Sequence, residues 1–358
     1  MHKKLSKTAI FLTLLSTFLY TCAHISEQEI AKNDKGAKKG DFVINSSNPQ
    51  KLSEEPESQT AVAVKETLPK KAPVKAQLPQ TLNIDKELLS LKKNFKPSKH
   101  GRPLGHQYAK AGALIDLSQQ KLLWAKNIDK KLPLASLTKV LTTLAVLEKC
   151  KSPKHSLKNK AKISSTARTT KHSKFLRLYK YSEVTLNDLC QTALVKSAND
   201  SCSLIKEHFD SKDQSFISYM NEYAKSIGLK NSKFYNPHGL PGAYSRPAIP
   251  DNTTTIRDLI TLTQKAVNTP QMIKWGNVQA LSYPGVKIRS FRLGNTNPMI
   301  EVTGVNGLKT GFTNNAGWCI IYSYQRGSKR FAAIILGCAT KTQRNALARN
   351  LLNWAKKQ

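Results

Sequence analysis

Acidic residues are scarce in this sequence: 23 Asp and Glu stand against 57 Lys and Arg over 358 residues, a formal net charge of +34. That imbalance favours polyanions such as nucleic acid, anionic lipid or acidic wall polymers as partners. Aromatics are few, at 7%. No arginine stripe is interleaved with them and no zinc-finger or RNA-binding signature occurs, so nucleic acid is not an expected partner. No CxxC pair exists and no His/Cys cluster has ligand spacing, so no metal is expected. Beyond Cys22 the cysteines are Cys150, Cys190, Cys202, Cys319 and Cys338. An odd number cannot pair fully within one chain, and buried thiols acting as small hydrophobes are the favoured reading. Apolar runs of membrane-spanning length are also missing. The N-terminal run from Ala9 to Tyr20 is too short to span a bilayer comfortably, and behind its basic start it reads as a secretory signal.

An exported protein follows, placed in the periplasm or cell envelope. Cleavage after Ala23 and lipidation at Cys22 both fit the signal. Thr21 occupies a position where lipoprotein signals carry a smaller residue, so lipidation, with the peripheral membrane attachment it would bring, is the minority reading. From 24 to 100 the chain is polar and rich in Pro, Ser, Lys and Gln. Too little apolar surface is available there to offset chain entropy, which predicts a disordered linker, with a short helix near Leu82 to Leu91 as its one candidate element. The folded domain is expected over 101–358, where 40 Lys and Arg against 13 Asp and Glu leave +27.

Within that domain, Ala113 to Leu117 and Leu122 to Ala125 are two apolar runs separated by a polar turn, the pattern of a hairpin. Helical periodicity follows at Pro133 to Lys149, Leu186 to Lys196, the SCSLIKEHF stretch, Phe216 to Ile227 and Ile256 to Val267. Strand patterns return at Val305 to Thr310, Trp318 to Tyr324 and Phe331 to Leu336, and Arg344 to Trp354 closes as an amphipathic helix. Two strands, a helical middle, three strands and a helix predict an α/β (α+β) fold. Its central antiparallel sheet has about five strands flanked by helices, with a mostly helical insert over 150–250.

The stretch PLASLTKVLTTLAVLEK draws attention because Lys139 is its only charge between Lys131 and Glu148. A helix apolar on every face belongs in a core. Ser136 and Lys139, three residues apart, share one face. Burial lowers a lysine pKa toward that of a useful base, and a neutral amine there could take the proton of Ser136 and make it a nucleophile. Alone the tetrad is weak, since an N-cap serine and a snorkelling lysine look the same. Ser197-Ala198-Asn199 lies at a break between two helices, and Lys309-Thr310-Gly311 on a strand placed next to the sheet's middle. There Gly311 leaves room for a ligand, and Lys309 and Thr310 could bind a carboxylate.

Ser-x-x-Lys, Ser-x-Asn and Lys-Thr-Gly in this order resemble the serine DD-peptidase and β-lactamase superfamily. The surrounding text, from ALIDLSQQKLLWAKN through VKSANDSC and GLKNSKFYNPHGL to GLKTGFTNNAGW, looks like the D-alanyl-D-alanine carboxypeptidases among the low-molecular-mass penicillin-binding proteins. The likeness covers about residues 106 to 356. It implies Ser136 as acylated nucleophile, Lys139 as its base, Ser197 as proton relay and Asn199 as holder of a substrate carbonyl. It further implies Lys309 as a source of positive potential, Thr310 at the substrate carboxylate with Gly311 lining the substrate's path, and an oxyanion hole from the N–H groups of Ser136 and Phe312. Peptidoglycan stem peptides are then the substrate, β-lactams covalent inhibitors, and no cofactor is needed. A DD-endopeptidase uses the same machinery and stays open. A class A β-lactamase fits poorly, since the only Glu-x-x-x-Asn string, Glu183 to Asn187, precedes Ser197; a non-catalytic β-lactam sensor is disfavoured by the intact motifs. His238 is expected to structure its loop, with no Gly-x-Ser-x-Gly elbow to partner it. Because the sequence stops after the Arg344 helix, any membrane attachment is expected at the N-terminus.

Overall fold

Apolar strands from both ends of the domain meet in one antiparallel sheet. They are β1 (Ala111–Asp116), β2 (Lys121–Lys126), β3 (Val305–Thr313), β4 (Gly317–Arg326) and β5 (Lys329–Cys338), in the spatial order β2-β1-β5-β4-β3. The structure is a computed structural model and describes residues 82–93, 103–173, 175–178, 181–242, 248–282 and 293–358. All of them lie in the unit Lys75–Gln358. The signal segment, Cys22 and residues 24–81 and 94–100 of the expected linker are outside the described residues. Among the described residues no helix is long and apolar enough to cross a membrane, and all five cysteines are free.

The middle strand β5 is covered on both sides, which explains its unbroken apolar run. Phe331, Ala333 and Ile335 face one cluster with Leu347, Ala348 and Leu351 of the closing helix α8 (Lys341–Ala355), while Ala332, Ile334 and Leu336 face the other. That second cluster is shared with the helical middle: α2 (Thr138–Lys149), α3 (Leu186–Val195), α4 (Asn199–Phe209), α5 (Phe216–Ser226), α6 (Ile256–Val267) and α7 (Pro270–Gly276). The result is a layer of sheet between a single helix and a helical mass.

Two expectations change. The linker reading gives way over 82–93, where α1 (Ile84–Lys93) docks on the edge strand β2. Leu82 is buried, Ile84, Leu88 and Leu91 pack on the core, Glu87 accepts the Leu122 N–H at 3.2 Å, and Asp85 pairs with Arg257 at 2.7 Å. A polar segment thus covers an open strand edge with few apolar contacts. The Lys309 strand, β3, is the sheet's other edge, not a strand beside the middle. Lys309 is nevertheless buried, because the turn before α2 and the helix α7 pack against β3.

Candidate active site

Ser136 stands in a 3-10 turn, Ala135–Leu137, that leads into α2 instead of in the helix itself. Ala135 has a left-handed backbone, φ 48°, a conformation that costs an L residue roughly 1–2 kcal/mol. Its surroundings hold it there. The Thr138 hydroxyl donates to the Ala135 carbonyl at 2.8 Å, and two glycines close in on the same peptide. A Cβ on Gly239 (φ 80°) would come to 1.9 Å from the Ala135 oxygen, and one on Gly311 to 3.1 Å from both Ala135 Cβ and Ser136 N. The turn bearing Ser136 is therefore clamped between the Asn236–Leu240 segment and strand β3.

Lys139, one turn on, is fully buried. Its Nζ lies 2.8 Å from Ser136 Oγ, 2.7 Å from Asn199 Oδ1 and 2.6 Å from the His238 carbonyl oxygen. Burial lowers its pKa to about 8, with Cys202 and Asp200 acting in the opposite sense. Asn199 Oδ1 and the His238 carbonyl are acceptors only, so they hold two N–H bonds of the amine. When the third proton leaves, the lone pair points at the Ser136 hydroxyl. The His238 side chain takes no part: its Nδ1 accepts the Leu240 N–H at 3.1 Å, and burial and Lys139 push its pKa down to about 3. Side chains from Asn236 and Asn252 fix the carbonyl it contributes. Asn236 Oδ1 accepts the Gly239 N–H at 2.7 Å, and Asn252 Nδ2 donates to the Asn236 carbonyl at 2.8 Å.

Ser197 and Asn199 flank the break between α3 and α4. Ser197 is also left-handed, φ 63°; its hydroxyl has no hydrogen-bond partner among the described residues, and the residue lines the cleft beside Ser136. Asn199 is occupied differently from the expected role. Besides accepting from Lys139, it donates through Nδ2 to the carbonyls of Lys171 (3.2 Å) and His172 (3.3 Å). A substrate carbonyl reaches Nδ2 only by displacing one of these bonds. Asp200, buried, fastens the same loop, accepting from Ser173 Oγ, from Leu176 N at 2.8 Å and from Ser201 N at 2.9 Å.

Strand β3 forms the opposite wall. Thr310 Oγ1 bonds Thr296 Oγ1 at 2.8 Å, and Gly311 and Phe312 line the cleft. Lys309 does not. Its Nζ donates to the Thr310 carbonyl at 2.8 Å, and burial, reinforced by Lys139, drives its pKa well below the ordinary lysine range. Whatever charge it carries acts from beneath the cleft floor. Among the described residues the cations that line the cleft are Lys196, Lys341 and Arg344, with His172, and no Asp or Glu lines its ≈ 770 Å³.

Arg344 escaped the sequence reading, which saw only the start of a helix. It is 2% exposed, bonds Asn345 Oδ1 at 2.7 Å, stacks 5.5 Å over the Trp318 ring and has no acidic partner among the described residues. A buried guanidinium without a counter-ion is costly unless a ligand supplies one. Phe312, 46% exposed, stacks on Trp318 with ring centroids 4.3 Å apart, forming an aromatic lip. Among the described residues no group of His, Cys, Asp and Glu is placed to hold a metal.

Similar relatives include the D-alanyl-D-alanine carboxypeptidase DacF of Bacillus subtilis, 30% identical over 260 residues that cover 70% of this chain and 63% of DacF. The D-alanyl-D-alanine endopeptidase of Pseudomonas aeruginosa is 28% identical over 265 residues, covering 72% of this chain and 81% of that protein. The chain thus spans less than two thirds of DacF. Penicillin-Binding Protein D2 from Listeria monocytogenes, solved in a cefotaxime-bound form, superposes with a TM-score of 0.61 at 26% identity, covering 70% of this chain and 97% of that one. A family model described as D-alanyl-D-alanine carboxypeptidase, peptidase S11, matches residues 98–340, and the chain belongs to that family.

Proposed function

We propose that this chain is a serine-type D-Ala-D-Ala carboxypeptidase that removes the terminal D-alanine from peptidoglycan stem pentapeptides through an acyl-enzyme on Ser136. One observation carries the reading: a fully buried Lys139 whose two other donors are occupied, leaving its third position 2.8 Å from Ser136 Oγ. In the neutral form Lys139 takes the hydroxyl proton as Ser136 Oγ attacks the carbonyl carbon of the penultimate D-alanine. The N–H groups of Ser136 and Phe312 receive the developing oxyanion, the contribution that usually dominates acyl transfer. As the C–N bond breaks, Ser197 passes a proton to the leaving nitrogen, D-alanine departs, and water hydrolyses the ester. Thr310 and Arg344 hold the terminal carboxylate, the counter-ion that the buried guanidinium lacks. Asn199 fixes Lys139 and its loop, and Lys309 adds positive potential from below in its protonated form. The scheme needs no metal or organic cofactor, and β-lactams enter it as covalent inhibitors at Ser136. Its place is the cell envelope, reached through the N-terminal signal, with cleavage after Ala23 preferred to lipidation at Cys22.

The test is a fluorescent penicillin. The full chain should form a covalent adduct that peptide mapping places on Ser136 and that Ser136→Ala abolishes; an adduct that survives the substitution would move the nucleophile elsewhere. An endopeptidase is the second reading, favoured by the comparable likeness to a protein named for that activity and by the exposed aromatic lip, which could take a larger leaving group. Cleavage of cross-linked dimers in preference to pentapeptides would select it.

A further inference from the structure

Between Lys149 and Tyr181 the sequence holds eleven Lys and Arg and no Asp or Glu. None of the chemistry above uses this stretch except at its cleft end. Three contacts fix how it lies. Ser164 Oγ donates to Glu207 at 2.5 Å, Thr170 Oγ1 donates to Ser203 Oγ at 2.9 Å, and Ser173 Oγ accepts the Asn199 N–H at 3.1 Å. As the stretch advances, its partners step back along α4 from the last turn to the first. The chain therefore runs antiparallel to α4 and ends in the cleft, where Asn199 holds the Lys171 and His172 carbonyls. From Glu207 to Asn199 is about 12 Å of helix at 1.5 Å per residue.

Exposed cations flank this path: Lys154, Lys158, Lys160 and Lys162 precede Ser164, and Arg177 follows Ser173. Lys160 and Lys162 flank buried Ala161 on a short strand and both point to solvent. Acids from neighbouring elements touch the stretch at few points: Glu148 pairs with Lys151 at 2.9 Å and Glu183 approaches Lys160 at 4.0 Å, while Glu207 is bound to Ser164 and Asp200 to Ser173. Lys154, Lys158, Lys162 and Arg177 are exposed and make no ion pair among the described residues. Like charges crowded on one surface repel and destabilise the folded state, so an anionic partner lowers the energy of this arrangement.

We infer that the basic stretch is a track for the substrate polymer, binding carboxylates of stem peptides neighbouring the one in the cleft. This rests on the carboxypeptidase reading, and it adds a second contact surface to that same site. Continuity with the cleft selects the carboxylate-bearing peptidoglycan strand as the occupant, since the track ends where the reacting peptide begins.

The experiment compares the full chain with a K154Q/K158Q/K162Q/R177Q variant and with the matching quadruple in which the three lysines become arginine and Arg177 becomes lysine. Penicillin acylation should be equal in all three, which establishes that each is folded. D-alanine release from a soluble pentapeptide should also match within about twofold, whereas kcat/KM on polymeric pentapeptide-bearing peptidoglycan should fall roughly 10-fold in the glutamine variant, through KM, and be restored in the charge-conserving one. The wild-type preference for polymer should shrink at 0.5 M salt. Equal loss on both substrates, or no loss on polymer, overturns the track. If the wild type releases D-alanine from neither substrate, the carboxypeptidase reading fails, and co-sedimentation with insoluble peptidoglycan decides the track alone. Weaker sedimentation of the glutamine variant supports it and unchanged sedimentation overturns it. Charge-dependent binding confined to a phosphate polymer or to phosphatidylglycerol vesicles also overturns it.

Discussion

In the proposed mechanism the chemistry turns on Lys139, whose protonation sets a sign. With a pKa near 8 in the folded protein, the reactive amine is populated as pH rises, so acylation should climb about tenfold per unit below pH 7, bend near 8 and level above 9. A limb near the free-lysine value, measured by stopped-flow acylation, would remove the buried base from the mechanism. Lys139→Arg keeps a donor but cannot deprotonate, and should slow acylation by roughly 10²–10⁴. This much was legible in the sequence, because a single charge in an apolar helix has few places to go. The His238 carbonyl beside Nζ was not, since any residue type presents a carbonyl and only the fold decides where it points. Arg344 was hidden for a related reason: its isolation from acids is a property of packing, invisible in a stretch that reads as an ordinary helix start.

The elements that clamp the Ser136 turn are a strand edge and a loop, and both reach it through glycine. Gly239→Ala drives a methyl group into the Ala135 carbonyl and forces alanine into a left-handed backbone, which together should cost about 3 kcal/mol or more. A lower urea midpoint with severely reduced penicillin labelling would show it; unchanged values would mean the clamp is not as tight as the 1.9 Å approach indicates. Asp200→Ala strands the Leu176 and Ser201 N–H groups and the Ser173 hydroxyl, and should destabilise the domain by about 2–4 kcal/mol in urea unfolding. Helix Ile256–Val267 was readable to the residue because Thr255 caps it, accepting the Asp258 N–H. The closing helix begins three residues earlier than its apolar periodicity indicates, as Thr340 caps it through the Gln343 N–H. Ser136 falls in a 3-10 turn because packing against β3 and Gly239, a tertiary effect, overrides the helical pattern. The helix α1 was harder to place within a linker, since its docking rests on Glu87, Asp85 and a few leucines and not on a continuous apolar face.

Across the whole molecule, the order of three short motifs foretold a cleft whose walls come from α2, from the break before α4 and from β3, and the structure brings Ser136, Lys139, Ser197, Asn199 and Thr310 together there. The order could not tell that β3 is an edge strand, because strand sequence is not strand position. The net charge was equally plain in the composition, but the course of the basic stretch beside α4 to the cleft needed the three contacts that lay it out. Both surfaces serve one reading, in which an anionic peptide enters a cleft lined by cations and is cut by a serine that a neutral lysine activates. The most direct test is D-alanine release by the full chain from a soluble pentapeptide ending in D-Ala-D-Ala. One D-alanine per peptide, lost in Ser136→Ala and following the pH profile of acylation, is the expected result. No release from a chain that still takes up penicillin, or release that persists in Ser136→Ala, would contradict it.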